Sequence, residues 1–206
     1  MKTLEISAVT NFALASETFL AAGILIGRAP TPASAAGFWA IFLLFFAAGC
    51  YSGGIDHGFF EPKGDTPSRM VMQKISWIFG GLATFFMLLT LLYQFTSGSL
   101  RLAFMVVGLV QLAVFSFLSI RIHNFLIVIM NYAPVLIGLL VLNLLGIATG
   151  SGSWYMIVGI LVSIAASALE ALAVNPFAPA DRDGFFHVLL MVAVAFLFVA
   201  GFSLKS

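Results

Sequence analysis

Three histidines and eight carboxylates stand in a chain of 206 residues that is 62% hydrophobic. Two of those histidines carry spacings that suggest chemistry. "DRDGFFHVLL" sets Asp183 four residues before His187, and positions i and i+4 share one face of a helix. A carboxylate and an imidazole so placed can hold one divalent metal together. His57, in "YSGGIDHGFF", becomes a third ligand if its segment reaches the same depth. Three N/O ligands plus water is the catalytic zinc pattern, in which the metal lowers the pKa of bound water to about 7. Glu17 or Asp56 would then serve as general acid or base, and a Ser52 or Ser76 hydroxyl would help stabilise an oxyanion. Asp56 lies about 100° round a helix from His57, so its expected place is the headgroup level, pointing to water.

The elements that must position these groups follow from composition. Only 8% of the residues are charged, and a soluble domain of this size needs more polar cover than that. The expected class is an all-α, polytopic integral membrane protein. A net charge of +1 gives no electrostatic case for nucleic acid. The lone Cys50 excludes an intrachain disulfide and a cysteine-built metal cage. The opening apolar segment carries Glu17 and has the length of a spanning helix, so it is expected to stay in the mature protein.

A bilayer core of about 30 Å needs roughly 20 apolar residues. Seven segments qualify, at about 8–27, 36–60, 74–95, 101–120, 124–147, 153–175 and 184–204. Between them stand "RAPTPAS", "EPKGDTPSR", "TSGS", "RIHN", "TGSGS" and "NPFAPADRD", which is turn chemistry. The expected architecture is one seven-helix transmembrane domain with short loops. With the N-terminal side called A, Lys2, Lys63, Arg69, Lys74, Arg121 and Arg182 fall on side A, and Arg28, Arg101 and Lys205 on side B. The excess on side A favours a cytoplasmic N-terminus and a C-terminus across the membrane.

Depth then groups the polar residues. At 1.5 Å per residue, His57 and His187 lie roughly 5 Å inside side A, Glu170 roughly 7 Å, Asn131 about 10 Å and Glu17 about 14 Å. Several helices thus bring ionisable groups to one layer, and such groups usually face a bundle interior or a water-filled cavity. A polar pocket open to side A is expected, with Glu170 and Asn131 in its wall. Asn131 also precedes Pro134, which frees backbone groups.

These features resemble the CREST superfamily, which includes alkaline ceramidases, progestin and adipoQ receptors and hemolysin III-like proteins. The likeness rests on seven spans, a histidine at the side-A end of the second, and an i,i+4 pair opening the seventh. His57 and His187 match the family pattern by identity, and "DGFFHVLLM" has the shape of its seventh-span segment. Glu17 in "SETF" is similar to an acidic residue early in the ceramidases. The resemblance implies a zinc site and hydrolysis of a lipid amide or ester, with membrane lipids or a lipid-like ligand as partners. Three positions depart from it: Gly53 stands where the family has serine, Ser76 or Lys74 where it has a third-span aspartate, and Asp183 where it has histidine.

Other readings stay open. Short loops and small-residue faces suit a non-enzymatic receptor, ligand binder or accessory subunit of a membrane complex. Ser163, Ser167 and Glu170 form an i, i+4, i+7 polar stripe that serves a pocket or a partner. Transport or proton relay would use Glu17, Glu170 and the histidines, although the polar layer fades before side B. Bis-histidine haem ligation by His57 and His187 is a further reading. No mid-span lysine in the last segment offers a Schiff base for retinal.

Overall fold

The computed structural model describes residues 3–29, 31–172 and 182–205. Lys2 and the 173–181 part of the last loop, both used in the charge and turn reading above, lie outside the described residues. Seven helices run in chain order: α1 (Thr3–Arg28), α2 (Ala35–Ile55), α3 (Pro67–Phe95), α4 (Gly98–Arg121), α5 (Leu126–Gly146), α6 (Trp154–Ala171) and α7 (Arg182–Gly201). No strand occurs among the described residues, and all seven helices are long and apolar enough to cross a membrane.

Local chemistry sets where they begin. Ser34 accepts from the Gly37 N–H at 3.0 Å and opens α2. Thr66 accepts from the Arg69 N–H at 3.3 Å, with Pro67 at the first helical position. The cap and the proline start α3 seven residues before the expected 74. Pro67, Ser68 and Arg69, read as loop in the sequence, are therefore helical. α2 does not stop cleanly either. It passes into a π turn over Asp56–Phe60, where the Glu61 N–H reaches back to the Asp56 carbonyl, and then a 3₁₀ turn over Glu61–Lys63.

Helices α1, α2, α3, α5, α6 and α7 form a ring, and α4 lies outside against α3 and α5. The apolar core occupies the side-B half. It joins Leu25 of α1, Trp39 and Leu43 of α2, Leu92 of α3, Leu139 of α5, Met156 and Ile160 of α6, and Leu197 of α7. Trp39 is fully buried there and donates from Nε1 to the Leu197 carbonyl at 3.0 Å, which closes α2 on α7. Gln94 ties the side-B rim: its Nε2 donates to the Ser151 carbonyl at 2.8 Å, and its Oε1 accepts from the Lys205 N–H at 2.9 Å. Close approach needs missing side chains, at Gly81 and Gly159 among others. A Cβ on Gly81 would stand 2.4 Å from the Phe115 ring of α4, and one on Gly159 would stand 2.6 Å from Leu197. With side B filled by hydrocarbon, the polar residues of α1, α2, α3 and α7 are left to pack at side A.

Candidate functional site

The π turn creates the site. Such turns insert a residue into the helical frame and often mark functional positions. Here Asp56 turns inward to α3, where it is 5% exposed. Gln73 Nε2 donates to its Oδ2 at 3.4 Å, and Arg69 Nε lies 3.7 Å from the same oxygen. This corrects the expectation that Asp56 points to water. Arg69 is a hub: its Nη2 donates to Glu61 Oε1 at 2.7 Å and its Nη1 to Asp65 Oδ1 at 2.9 Å. The other Glu61 oxygen, Oε2, lies 2.5 Å from His57 Nδ1.

His187 of α7 is 6% exposed and faces α1, where its Nδ1 lies 3.0 Å from Thr10 Oγ1. The two imidazole centroids are 6.1 Å apart, so the sequence-predicted pairing of His57 with His187 is met in space.

Hydrogen-bond bookkeeping sets the protons. The Thr10 hydroxyl already lies 2.8 Å from the Ile6 carbonyl and 3.1 Å from that of Ser7. It has one proton to give, so toward His187 it accepts, and His187 Nδ1 donates. An ionised Glu61 only accepts, so His57 Nδ1 donates as well. In their neutral forms both rings then keep the lone pair on Nε2. Among the described residues neither Nε2 has a hydrogen-bond partner. Neither is among the sealed polar atoms, which are Asp56 Oδ1, Arg69 Nε, Ser119 Oγ and Glu170 Oε2.

Asp183 does not join them. It opens α7 on the α6 side, with Oδ1 3.6 Å from Arg182 Nε, and Arg182 Nε lies 2.7 Å from Glu170 Oε1. Among the described residues no three His, Cys, Asp or Glu side chains stand close enough to share one ion. The expected set of His57, Asp183 and His187 is thus not assembled, because one turn of α7 separates a residue facing α6 from one facing α1. Two imidazoles on one tetrahedral zinc, with Zn–N of about 2.0–2.1 Å, bring their centroids to about 5 Å. The pair at 6.1 Å would need to close by about 1 Å.

The remaining candidates are dispersed. Glu17 is half-buried on α1, seven residues and so about 10 Å along the axis from Thr10. At that separation its carboxylate does not reach the histidine pair. Ser52 Oγ donates to the Ala48 carbonyl within α2 at 2.9 Å, and Ser76 Oγ donates to the Gly49 carbonyl at 3.0 Å, tying α3 to α2. Asn131 accepts from Gln111 Nε2 at its backbone oxygen (2.8 Å) and at Oδ1 (3.1 Å) in the α4–α5 contact. Glu170 belongs to the Arg182 cluster, and its stripe partner Ser167 lies 3.4 Å from the Tyr132 hydroxyl.

Four side chains of the site escaped the sequence reading: Thr10, Glu61, Arg69 and Gln73. Glu61 had a signal, since it stands four after His57 at the spacing already noticed for Asp183 and His187. Pro62 and Gly64 disguised it as loop. Arg69 was hidden in the same way by the helix start at Pro67.

The fold thus defines an all-helical chain with seven helices of membrane-spanning length and a histidine pair at one end. The chain belongs to a family of unknown function (DUF6962), whose model matches residues 6–206. No curated protein and no solved structure matches it.

Proposed function

We propose that the chain is a multi-pass membrane protein that binds the polar end of a lipid-like ligand at side A, between α1, α2 and α7. The seven helices would cross the bilayer with the N-terminus in the cytoplasm and the C-terminus opposite. One observation carries the ligand site: two imidazoles, each anchored through Nδ1 on Glu61 or Thr10, stand 6.1 Å apart between centroids, which leaves Nε2 of each for a ligand. Polar groups held at that depth are costly unless a cavity or ligand serves them. The fixed rings reduce the ordering cost of binding. A receptor, a ligand binder and an accessory subunit of a membrane complex all fit this description. The test is the lipid retained through purification in mild detergent. One lipid class should remain on the wild type and disappear from the His57→Ala/His187→Ala variant. Identical lipid profiles overturn the proposal.

A second reading, a zinc-dependent lipid amide or ester hydrolase akin to the CREST superfamily, is favoured by the Nδ1 anchors. Metal-bound histidines typically donate their other ring N–H to a carboxylate, carbonyl or water; the Glu61 carboxylate takes that place for His57, and the Thr10 hydroxyl stands in it for His187. Zinc at the pair would supply a water acidified to about pKa 7. Glu61 and Thr10 would fix the two rings, and Arg69 would hold Glu61. Against it stands Asp183, which leaves two protein ligands where catalytic zinc usually has three. Elemental analysis decides: stoichiometric zinc on the wild type, lost in the double histidine variant, supports the hydrolase, and zinc-free wild type removes it.

A further inference from the structure

The histidine pair leaves Glu17 unused. Counted along α1 it stands about 14 Å in from side A, near the middle of a bilayer core of about 30 Å. Among the described residues its carboxyl group makes no hydrogen bond and no ion pair. The hydroxyls beside it are spent within the helix: Ser16 Oγ donates to the Phe12 carbonyl at 2.8 Å, and Thr18 Oγ1 to that of Leu14 at 2.7 Å. Arg28, at the side-B end of α1, is about 16 Å further along the axis. Long Lys and Arg side chains escape from hydrocarbon to the interface, but two methylenes do not carry a carboxyl that far. A carboxylate alone at that depth is costly, and such groups are normally paired.

The helix frame puts Glu17 on the outer side of α1. It stands seven residues before Ile24, so the two lie within about 20° of each other round the axis, and Ile24 is 41% exposed. Leu14, Thr18, Ala22 and Leu25 form the buried face, centred about 100° away. Beside Glu17 runs an exposed line, Ala13, Ser16, Leu20, Gly23 and Gly27, at alternating three- and four-residue steps. A Cβ on Gly23 or Gly27 would have nothing within 4 Å, so no described part of this chain packs on their bare backbone. Such positions let a second helix come close. The carboxyl decides what that helix must carry.

Charge selects the occupant. A second copy of the chain, related by a twofold axis, would set Glu17 against Glu17, and no described lysine or arginine lies at the middle of a helix to meet it. A cation from another chain cancels a charge that neither group holds cheaply alone in hydrocarbon. We propose that the outer face of α1 docks a transmembrane helix of another protein, whose mid-membrane lysine or arginine pairs with Glu17. This rests on the reading of the seven helices as membrane spans, and it makes the chain a subunit of a membrane complex.

The experiment uses the full chain in phosphatidylcholine liposomes, with fluorescent leucine-rich helices of about 20 residues as probes. The probes differ only at their central residue, which is lysine, leucine or glutamate. Because Glu17 is near the midplane, a central lysine meets it in either orientation. Energy transfer should show the lysine helix binding about tenfold tighter than the leucine helix, the worth of one charge-assisted hydrogen bond. The glutamate helix should bind no better than the leucine helix. Glu17→Leu should bring the lysine and leucine helices within about threefold of each other. The melting temperatures of Glu17→Leu and Glu17→Gln should stay within about 2 °C of wild type, since the carboxyl bonds to nothing inside the chain. Equal binding of the three probes by wild type overturns the proposal. So does a lysine preference that survives in Glu17→Leu, or a melting temperature that falls well beyond that limit in both variants. Energy transfer between two labelled copies of the chain that displaces the lysine helix and is lost in Glu17→Leu gives the face to a second copy, and overturns the proposed partner. Failure of the chain to float with liposomes overturns the membrane reading and this proposal together, whereas an inserted chain that ignores the lysine helix overturns this proposal alone.

Discussion

Replacing Arg69 by methionine is the sharpest test of how side A is held. The guanidinium is the only cation within ion-pair distance of Asp56 and Glu61, apart from His57 if it is protonated, among the described residues. Methionine keeps much of the stem and removes the charge. The Asp65 partner is 92% exposed and contributes little. The Glu61 side chain is 22% exposed at 2.7 Å, and the Asp56 side chain is 7% exposed at 3.7 Å. Removing one member of a buried pair costs about 3–5 kcal/mol, because the other charge is left without compensation. Partial exposure of Glu61 and the long Asp56 contact put the expected loss at the lower end, about 3 kcal/mol. For a chain of this size that corresponds to a fall in melting temperature of about 6–12 °C. Thermal unfolding in a mild detergent, followed by circular dichroism or a thiol-reactive dye at Cys50, reads it directly. Arg69→Met/Glu61→Gln should lose less than the sum of the two single variants, since the second change removes a charge that the first leaves stranded. A melting temperature for Arg69→Met within about 2 °C of wild type would refute the account of Arg69 as the clamp.

Two further changes probe packing and the dispersed serines. Gly81→Ala drives a methyl to 2.4 Å from the Phe115 ring, so it should cost about 1–3 kcal/mol, and Phe115→Leu should restore part of it; an unchanged midpoint of thermal unfolding would contradict the packing of α4 on α3. Ser76→Ala should lose about 1 kcal/mol from its bond to the Gly49 carbonyl and leave the lipid retained through purification unchanged, while Ser52→Ala, whose bond is local to α2, should change neither; loss of the retained lipid in either variant would return the serines to the site.

Some of this arrangement was legible one residue at a time. Seven runs of apolar residues, broken by Pro, Gly and charge clusters, predicted seven helices, and their ends fall within about five residues of the expected ones except at the start of α3. Even that exception had a local cause, the Thr66–Pro67 start. Equal depth also brought His57 and His187 together correctly, because rise per residue is nearly constant in a helix. Angle did not follow from spacing. Asp183 and His187 share a helix face in the nominal 100° frame, yet one meets Arg182 and Glu170 while the other meets Thr10.

Run length and hydropathy therefore determined the helices, since each apolar segment must satisfy its own backbone hydrogen bonds. Only the tertiary structure decided which side chains meet. The π turn at Asp56 turned one carboxylate to α3 and the neighbouring imidazole to Glu61 and α7. The side-B core, closed by Trp39 on Leu197, set the approach of α2 and α7. Axial position accumulates by a nearly fixed step along one chain, but the direction a side chain faces is set by the helices packed against it.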